Sequence, residues 1–241
     1  MTEPGDWSVE SPLRLLQRFL DLFFHRDEVA IKSIMLPFIF ITLAFLCGSL
    51  PFSVWLGKIF MGTDVRRFGD GNPGAANAFR TGNKLVGLSA LLLDVSKAAA
   101  PVGLAYFNLG FRGLPMFLIA VAPILGHVFS PFLDFRGGKA ISTALGVWIG
   151  LTIWKASLAG VIAVGIGMVL FTTPGWAVML AMGGILGMLL FWMPDPLLLA
   201  VLASETLILA WTHRADLSHL PRLRPWLAKA FSRRKDSARH A

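Results

Sequence analysis

The sequence predicts an all-α fold, a polytopic membrane bundle of about seven transmembrane helices. Three observations predict it. Of 241 residues, 55% are hydrophobic and only 15% charged, where soluble domains carry nearer a quarter. Mean hydropathy is +0.66. The apolar residues come in long runs rather than in alternation, which is the pattern of membrane helices.

Residues 1–33 are polar and mixed in charge and form an N-terminal extension. Within it, SPLRLLQRFLDLFF (11–24) has Ser11 as a cap and Pro12 at the first helical position. Leu13, Leu16, Leu20 and Phe23 or Phe24 fall on one side, so the segment reads as an amphipathic helix lying on the membrane or packing on the bundle. It lacks the basic start, apolar core and small residues of a signal peptide. The membrane domain follows over 34–220. Its first apolar stretch, 34–60, carries Gly48, Pro51 and Gly57 and is expected to kink. The others are 85–107, 114–133, the short 140–151, 154–171, 176–193 and 197–211. A basic tail, 221–241, closes the chain and suits an anionic lipid surface.

Charge assigns the sides. The connections 58–84 and 134–139 and the tail carry most Lys and Arg, while the opposite connections carry only Arg112 and Lys155. The positive-inside rule then puts the N-terminus outside and the C-terminus in the cytoplasm. The formal charge of +8 is accounted for by topology and anionic substrates, and no nucleic-acid partner is called for. The single cysteine, Cys47, sits in an apolar run, where it can neither pair internally nor build a metal cluster.

Residues 66–77 read RRFGDGNPGAAN and contain a literal G-x-G-x-x-G at Gly69, Gly71 and Gly74. A dinucleotide fold would need a strand before the glycines and a second strand with an acid beyond them. Here the glycines lie between two membrane spans, so that reading fails. Glycines still let backbone N–H groups approach a phosphate. Arg66, Arg80, Asn72 and Asn77 surround them. The loop is either an anion site folded into the cytoplasmic mouth or a structured connector whose cations enforce topology.

Three further stretches bear on that choice. In LLLDVSK, Asp94 and Lys97 face one side of an apolar helix, either lining a cavity or neutralising each other. In GHVFSPFLDFRGGKAISTALG, His127 closes one span, Gly137 and Gly138 open the backbone, and Lys139 stands where the next helix begins, with Thr143 one turn further in. Free N–H groups and the helix dipole favour an anion there. In WTHRADLSHL, His213 and Arg214 emerge at the end of the last span as site residues or interfacial anchors.

These stretches, in order, resemble the bacterial acyl-phosphate:glycerol-3-phosphate acyltransferases, the PlsY family. Its first signature is similar to GSLPF…GK…GTDVRRFGDGNPGAANAFR, its second to LLLDVSKAAAP, and its third to GHVFSPFLDFRGGKAISTALG. Its closing H-R-x-N is similar to His213-Arg214-Ala215-Asp216. The resemblance implies an inner-membrane enzyme that moves a fatty acyl group from acyl phosphate to the 1-hydroxyl of glycerol 3-phosphate, with no cofactor, metal or covalent intermediate. The partners it implies are those two substrates, membrane lipid and a soluble enzyme that makes acyl phosphate. The catalytic set expected is Arg80, His127, Lys139 and Asn77. The substrate-binding set is Arg66, Gly69, Asp70, Gly71, Asn72, Gly74, Lys97, Gly137, Gly138, Thr143, His213 and Arg214.

The chain departs from the family pattern at four polar positions. Asp70 replaces a serine, Ala76 a threonine and Asp216 an asparagine, and Gly175 or a neighbour falls where a serine would. A carboxylate about 4 Å from a bound anion costs roughly 4 kcal/mol at an effective dielectric of 20. Asp70 and Asp216 must therefore pair with arginines, be protonated, or accompany a different substrate. A relative with lost or changed activity and a small anion transporter stand as alternatives. An acyltransferase needs an apolar opening beside the phosphate cluster, and a transporter needs a polar path to the outer face. Glu205, in the last span, is expected to serve packing or a hydrogen bond.

Overall fold

The computed structural model describes residues 34–227. The expected amphipathic helix at 11–24 and most of the basic tail lie outside them. Contacts divide the chain into Met1–Ile39 and Phe40–Ala241. Of the first unit, residues 34–39 are described, and they are helical and apolar. The rest of the described chain belongs to the second unit.

All the expected apolar segments are helical. Helix α1 runs over 34–49 and α2 over Phe52–Met61. The short α3 (Ala75–Arg80) follows the glycine loop. Then come α4 (Lys84–Gly103), which passes into a π turn at Leu104–Asn108, and α5 (Gly113–Val128). Helices α6 (Ile141–Thr152), α7 (Lys155–Leu170), α8 (Pro174–Trp192) and α9 (Pro196–Thr212) complete the bundle, with a last turn, α10, at Arg214–Leu217. Among the described residues four stretches are long and apolar enough to cross a membrane: Ile34–Met61, Lys84–Asn108, Gly113–Leu133 and Pro174–Trp192. Helices α6, α7 and α9 are shorter; at 1.5 Å per residue the 12 residues of α6 reach about 18 Å, less than a hydrocarbon core.

The expected kink in the first stretch is a full break. Pro51 has no N–H, and the N–H of Val54 turns to the carbonyl of Pro51 at 3.0 Å. The carbonyl of Leu50 is thereby left without its usual helical donor. Small residues then bring helix backbones together, as membrane packing requires. A Cβ on Gly48 would strike the backbone of Pro123, and one on Gly126 the carbonyl of Phe45, so α1 and α5 touch main chain to main chain. Gly146 and Gly150 do the same for α6 against α4 at Val95, Ala99 and Val102. Helices α7 and α8 form a tight hairpin. The buried core runs through α4, α5, α6, α8 and α9 and includes Trp148, Met116, Ile124, Leu189 and Leu209. Large apolar side chains such as Leu46, Ile59, Leu92, Val169 and Phe191 are exposed around the outside, as a lipid-facing surface demands. The chain is a multi-pass membrane protein.

Candidate functional site

A buried polar triad joins α4, α5 and the break at Pro51. Lys97 Nζ lies 2.8 Å from Asp94 Oδ1, with both side chains 2% exposed. The same ammonium donates to the carbonyl of Leu50 at 2.8 Å and to Nδ1 of His127 at 2.8 Å. Lys97 is thus engaged by one ion pair and two hydrogen bonds inside the bundle, where the sequence had suggested a hold on an anion. It fills the carbonyl freed at Pro51 and fixes His127. Because Nδ1 accepts, the ring hydrogen sits on Nε2, and Nε2 lies against Gly138, where a Cβ would strike it.

The loop that closes α5 returns His127 to the entrance of α6. The N–H groups of Gly137 and Gly138 bond the carbonyls of Val128 and His127 at 3.0 and 3.1 Å. A side chain at Gly137 would collide with both carbonyls. Asp134, Phe135 and Ala140 all take positive φ, at 52°, 58° and 63°. Such strain in non-glycine residues gathers where a loop must hold one conformation. Ala140 turns the chain into α6, whose first turn has no side-chain cap. Its N–H groups are free to face an anion beside Lys139.

The glycine loop meets this entrance. Gly69 and Gly71 take φ of 59° and 75°, which glycine adopts without strain. The guanidinium of Arg80 lies over Gly69, where a Cβ would strike Nη1. From there a chain of bonds crosses the site. Arg80 Nη1 donates to Asn77 Oδ1 at 2.9 Å. Asn77 Nδ2 donates to Asp70 Oδ1 and to the carbonyl of Asn72, each at 3.0 Å. Asp70 Oδ2 meets Lys139 Nζ at 2.9 Å. The N–H of Lys139 donates to Asn72 Oδ1 at 2.9 Å. Gly74 packs on the Asn72 amide and starts α3. Burial opposes ionisation of Asp70, but the Lys139 ammonium and the N–H of Asn72 outweigh it and hold the carboxyl below its ordinary value.

The end of α9 supplies the third side. Thr212 Oγ1 shares its one hydrogen between the carbonyl of Leu209, at 3.0 Å, and that of Lys139, at 3.3 Å. His213 is buried, its Nδ1–H donates to the carbonyl of Leu209 at 2.9 Å, and its Nε2 has no partner among the described residues. Burial pushes its pKa down. Arg214 stacks 5.1 Å over Trp211 and donates to its carbonyl at 3.0 Å. Asn72, Arg136, Gly137, Gly138, Lys139, Thr212 and Arg214 together line a pocket of about 200 Å³ with Phe129, Phe135 and Trp211.

Arg66, Thr143, Asp70 and Asp216 stand otherwise. Arg66 borders the glycine loop, its carbonyl near Gly71, but its side chain is paired with Asp64. Its Nε and Nη2 grip Asp64, Nη2 at 2.7 Å from Oδ2, and these bonds hold the Asp64 carboxyl down to about 2. Thr143 is wholly buried in α6 with its hydroxyl unpartnered among the described residues, and it does not line the pocket. The acids Asp70 and Asp216 pair with no arginine among the described residues. Asp70 takes Lys139, and Asp216 Oδ2 accepts from the N–H of Gly175 at 3.0 Å, at the N-terminus of α8. A carboxylate is stabilised there by the helix dipole. A Cβ at 175 would strike Cβ of Asp216, so the glycine and the acid fit as a pair. Sequence reasoning missed Asp64, although an Asp two residues before the arginine of a short turn is a capping signal. It also missed Trp211 and Thr212, which carry no pattern of their own.

A second pocket, of about 210 Å³, begins beside the first. It is lined almost wholly by apolar side chains, from Ile141, Ser142 and Leu209 inward to Trp148, Gly160 and Ile185.

The family model for glycerol-3-phosphate acyltransferase matches residues 38–222. A glycerol-3-phosphate acyltransferase of Anaeromyxobacter sp. (strain Fw109-5) is 41% identical over 135 residues, covering 55% of this chain and 66% of its own. That of Aromatoleum aromaticum (strain DSM 19018 / LMG 30748 / EbN1) is 39% identical over 181 residues, covering 73% of this chain and 89% of its own. Against other curated relatives the match spans only 50%, 58% and 65% of their length. A crystal structure of PlsY (YgiH), an integral membrane glycerol 3-phosphate acyltransferase in its glycerol 3-phosphate form, superimposes with a TM-score of 0.70. It is 25% identical and covers 81% of this chain and 98% of that one. The fold, the ordered motifs and the extent of these matches agree, and the chain belongs to the PlsY family of integral-membrane glycerol-3-phosphate acyltransferases.

Proposed function

We propose that this protein transfers a fatty acyl group from acyl phosphate to the 1-hydroxyl of glycerol 3-phosphate, giving lysophosphatidic acid and inorganic phosphate, the first step of phospholipid synthesis. One observation carries the reading: Lys139 and Arg214 line a polar pocket, and an apolar pocket opens two residues after Lys139. Phosphate groups and an acyl chain can thus lie side by side. A transport path to the opposite face is not needed to explain any residue of the cluster.

The hydroxyl oxygen attacks the acyl carbonyl carbon, the bond from that carbon to the phosphate oxygen breaks, and the departing phosphate takes the hydroxyl proton. At the pocket the Thr212 hydroxyl lies 3.2 Å from Nδ1 of His213, but that nitrogen carries the hydrogen donated to the Leu209 carbonyl and is no base, so the protein contributes orientation and charge. Lys139, Arg80 and Arg214 neutralise the phosphates, Nε2–H of His127 and the first N–H groups of α6 add donors, and Asn72 and Asn77 hold the loops in register. The basic connections support a site on the cytoplasmic side of the inner membrane, with the N-terminus outside. A soluble enzyme would deliver acyl phosphate at that face.

The direct test is purified protein with acyl phosphate and labelled glycerol 3-phosphate, with acyl-CoA as the control donor. Labelled lysophosphatidic acid is expected from acyl phosphate alone. Absence of product from acyl phosphate, or equal product from acyl-CoA, would sink the assignment. The Asp70–Lys139 pair gives a finer expectation. Partly exposed pairs are worth about 1 kcal/mol or less, and an incoming phosphate must displace this one. Asp70→Ser is expected to lower the KM for a phosphorylated substrate up to about fivefold, measured by steady-state titration; an unchanged or raised KM would refute the competition.

A further inference from the structure

We propose that Trp148, held by Glu205, sets the acyl-chain length that the apolar pocket accepts. The proposal rests on the acyl-transfer reading above and assigns the specificity of that same site.

The pocket has a direction. At the end nearest Lys139 its lining consists of Ile141 and Ser142, the first residues of α6, and Leu209, one turn before Thr212. Trp148 lies two turns further along α6, about 10 Å from Ile141. Helix α7 begins where α6 ends, so Gly160 comes level with Trp148 from the opposite wall, and Ile185 of α8 lies against Gly160. The indole thus stands at the end of the α6 lining farthest from Lys139 and the phosphate cluster. Its own exposure is 1%, so almost none of it meets water.

The indole is held by a group that a plain core would not contain. Trp148 Nε1 donates to Glu205 Oε2 at 2.5 Å, and Glu205 is 0% exposed. A buried carboxyl is costly in an apolar bundle unless it is bonded, and a membrane-buried acid has a job or a partner. Packing alone would be met more cheaply by Leu opposite Phe. What the pair adds is orientation: the bond fixes the ring about its long axis, so the end wall of the pocket is rigid. Glu205 touches no pocket surface itself. It is a positioning residue that acts through Trp148.

The test uses the full-length protein in detergent or vesicles with saturating glycerol 3-phosphate and a series of saturated acyl phosphates of increasing length. The readout is kcat/KM for each donor. Trp148→Ala is expected to move the optimum to longer donors and to change the long-to-short ratio at least about tenfold. Gly160→Ala narrows the opposite wall, since its Cβ would stand 3.0 Å from Ile185 Cδ1, and is expected to move the optimum to shorter donors. Glu205→Gln keeps an oxygen for the indole N–H and is expected to keep the wild-type profile, while Glu205→Leu broadens it. A purely structural role would lower stability and leave the profile in place. The proposal is overturned if folded Glu205→Leu and Gly160→Ala variants transfer acyl groups with the wild-type chain-length profile, whether or not Trp148→Ala folds. Failure of the wild-type protein to use any acyl phosphate would overturn the acyl-transfer reading itself, a distinct result.

Discussion

Lys139→Ala is expected to lower kcat/KM for acyl transfer by about a hundredfold or more, with the protein still inserted and folded. Lys139 sits at the crossing of the three segments that build the pocket. Its N–H is held by Asn72, its carbonyl by Thr212, and only its ammonium faces outward, to Asp70. Its side chain is partly exposed, so truncation leaves no buried group unpaired and the fold does not depend on it. Removing one preorganised charge from a transition state typically costs 10²–10³ in rate, roughly 3–4 kcal/mol. Lys139→Arg keeps the charge but not the compact shape and is expected to recover part of the rate. The measurement is steady-state transfer by variants whose elution and helical circular dichroism match the wild type. Activity within a few-fold of wild type in such an alanine variant would remove Lys139 from the site.

Lys97→Met is expected to act in the opposite way, on stability first. Its ammonium pairs with a carboxylate and donates to a carbonyl and an imidazole nitrogen, each at 2.8 Å and all inside the bundle. Removing one partner of a buried pair leaves the other charge uncompensated, at about 3–5 kcal/mol. A drop in Tm in detergent should report it, and the Asp94→Asn/Lys97→Met double variant should lie closer to wild type than the single one. If the single variant loses less than about 1 kcal/mol, a value typical of exposed pairs, the triad is not the anchor described. Activity falls with stability here, because His127 loses the bond that fixes its ring.

The helices were legible because apolar runs report lipid directly, and even the 12-residue α6 stood out between Lys139 and Trp154. The loops were legible only in part. Gly69, Gly137 and Gly138 were read as places where backbone can approach an anion; what the structure shows there is Arg80, His127 and two carbonyls, so near that only glycine fits. Arg66 and Lys97 were assigned to phosphate because they are cations in the right motifs. Nothing in a motif says that Asp64, two residues away, or a carbonyl freed at Pro51 reaches them first. The same limit explains Asp70 and Asp216. As isolated letters they read as obstacles to an anion. Lys139 and the N–H of Gly175 answer them only once segments 69 and 41 residues apart have met.

The spacing of Asp94 and Lys97 bears on biogenesis. They lie three apart on one helix, so they meet as soon as that turn forms, before any neighbour is present. Each alone would resist transfer from the translocon into lipid by about 2.5–3.5 kcal/mol at the helix centre. Together they enter as a dipole without net charge. The stretch ending at Leu50 has by then been synthesised, and His127 arrives afterwards with the following helix. The nascent chain can thus be threaded into the bilayer in order of synthesis, with no stage at which a bare charge waits in hydrocarbon for its counterpart.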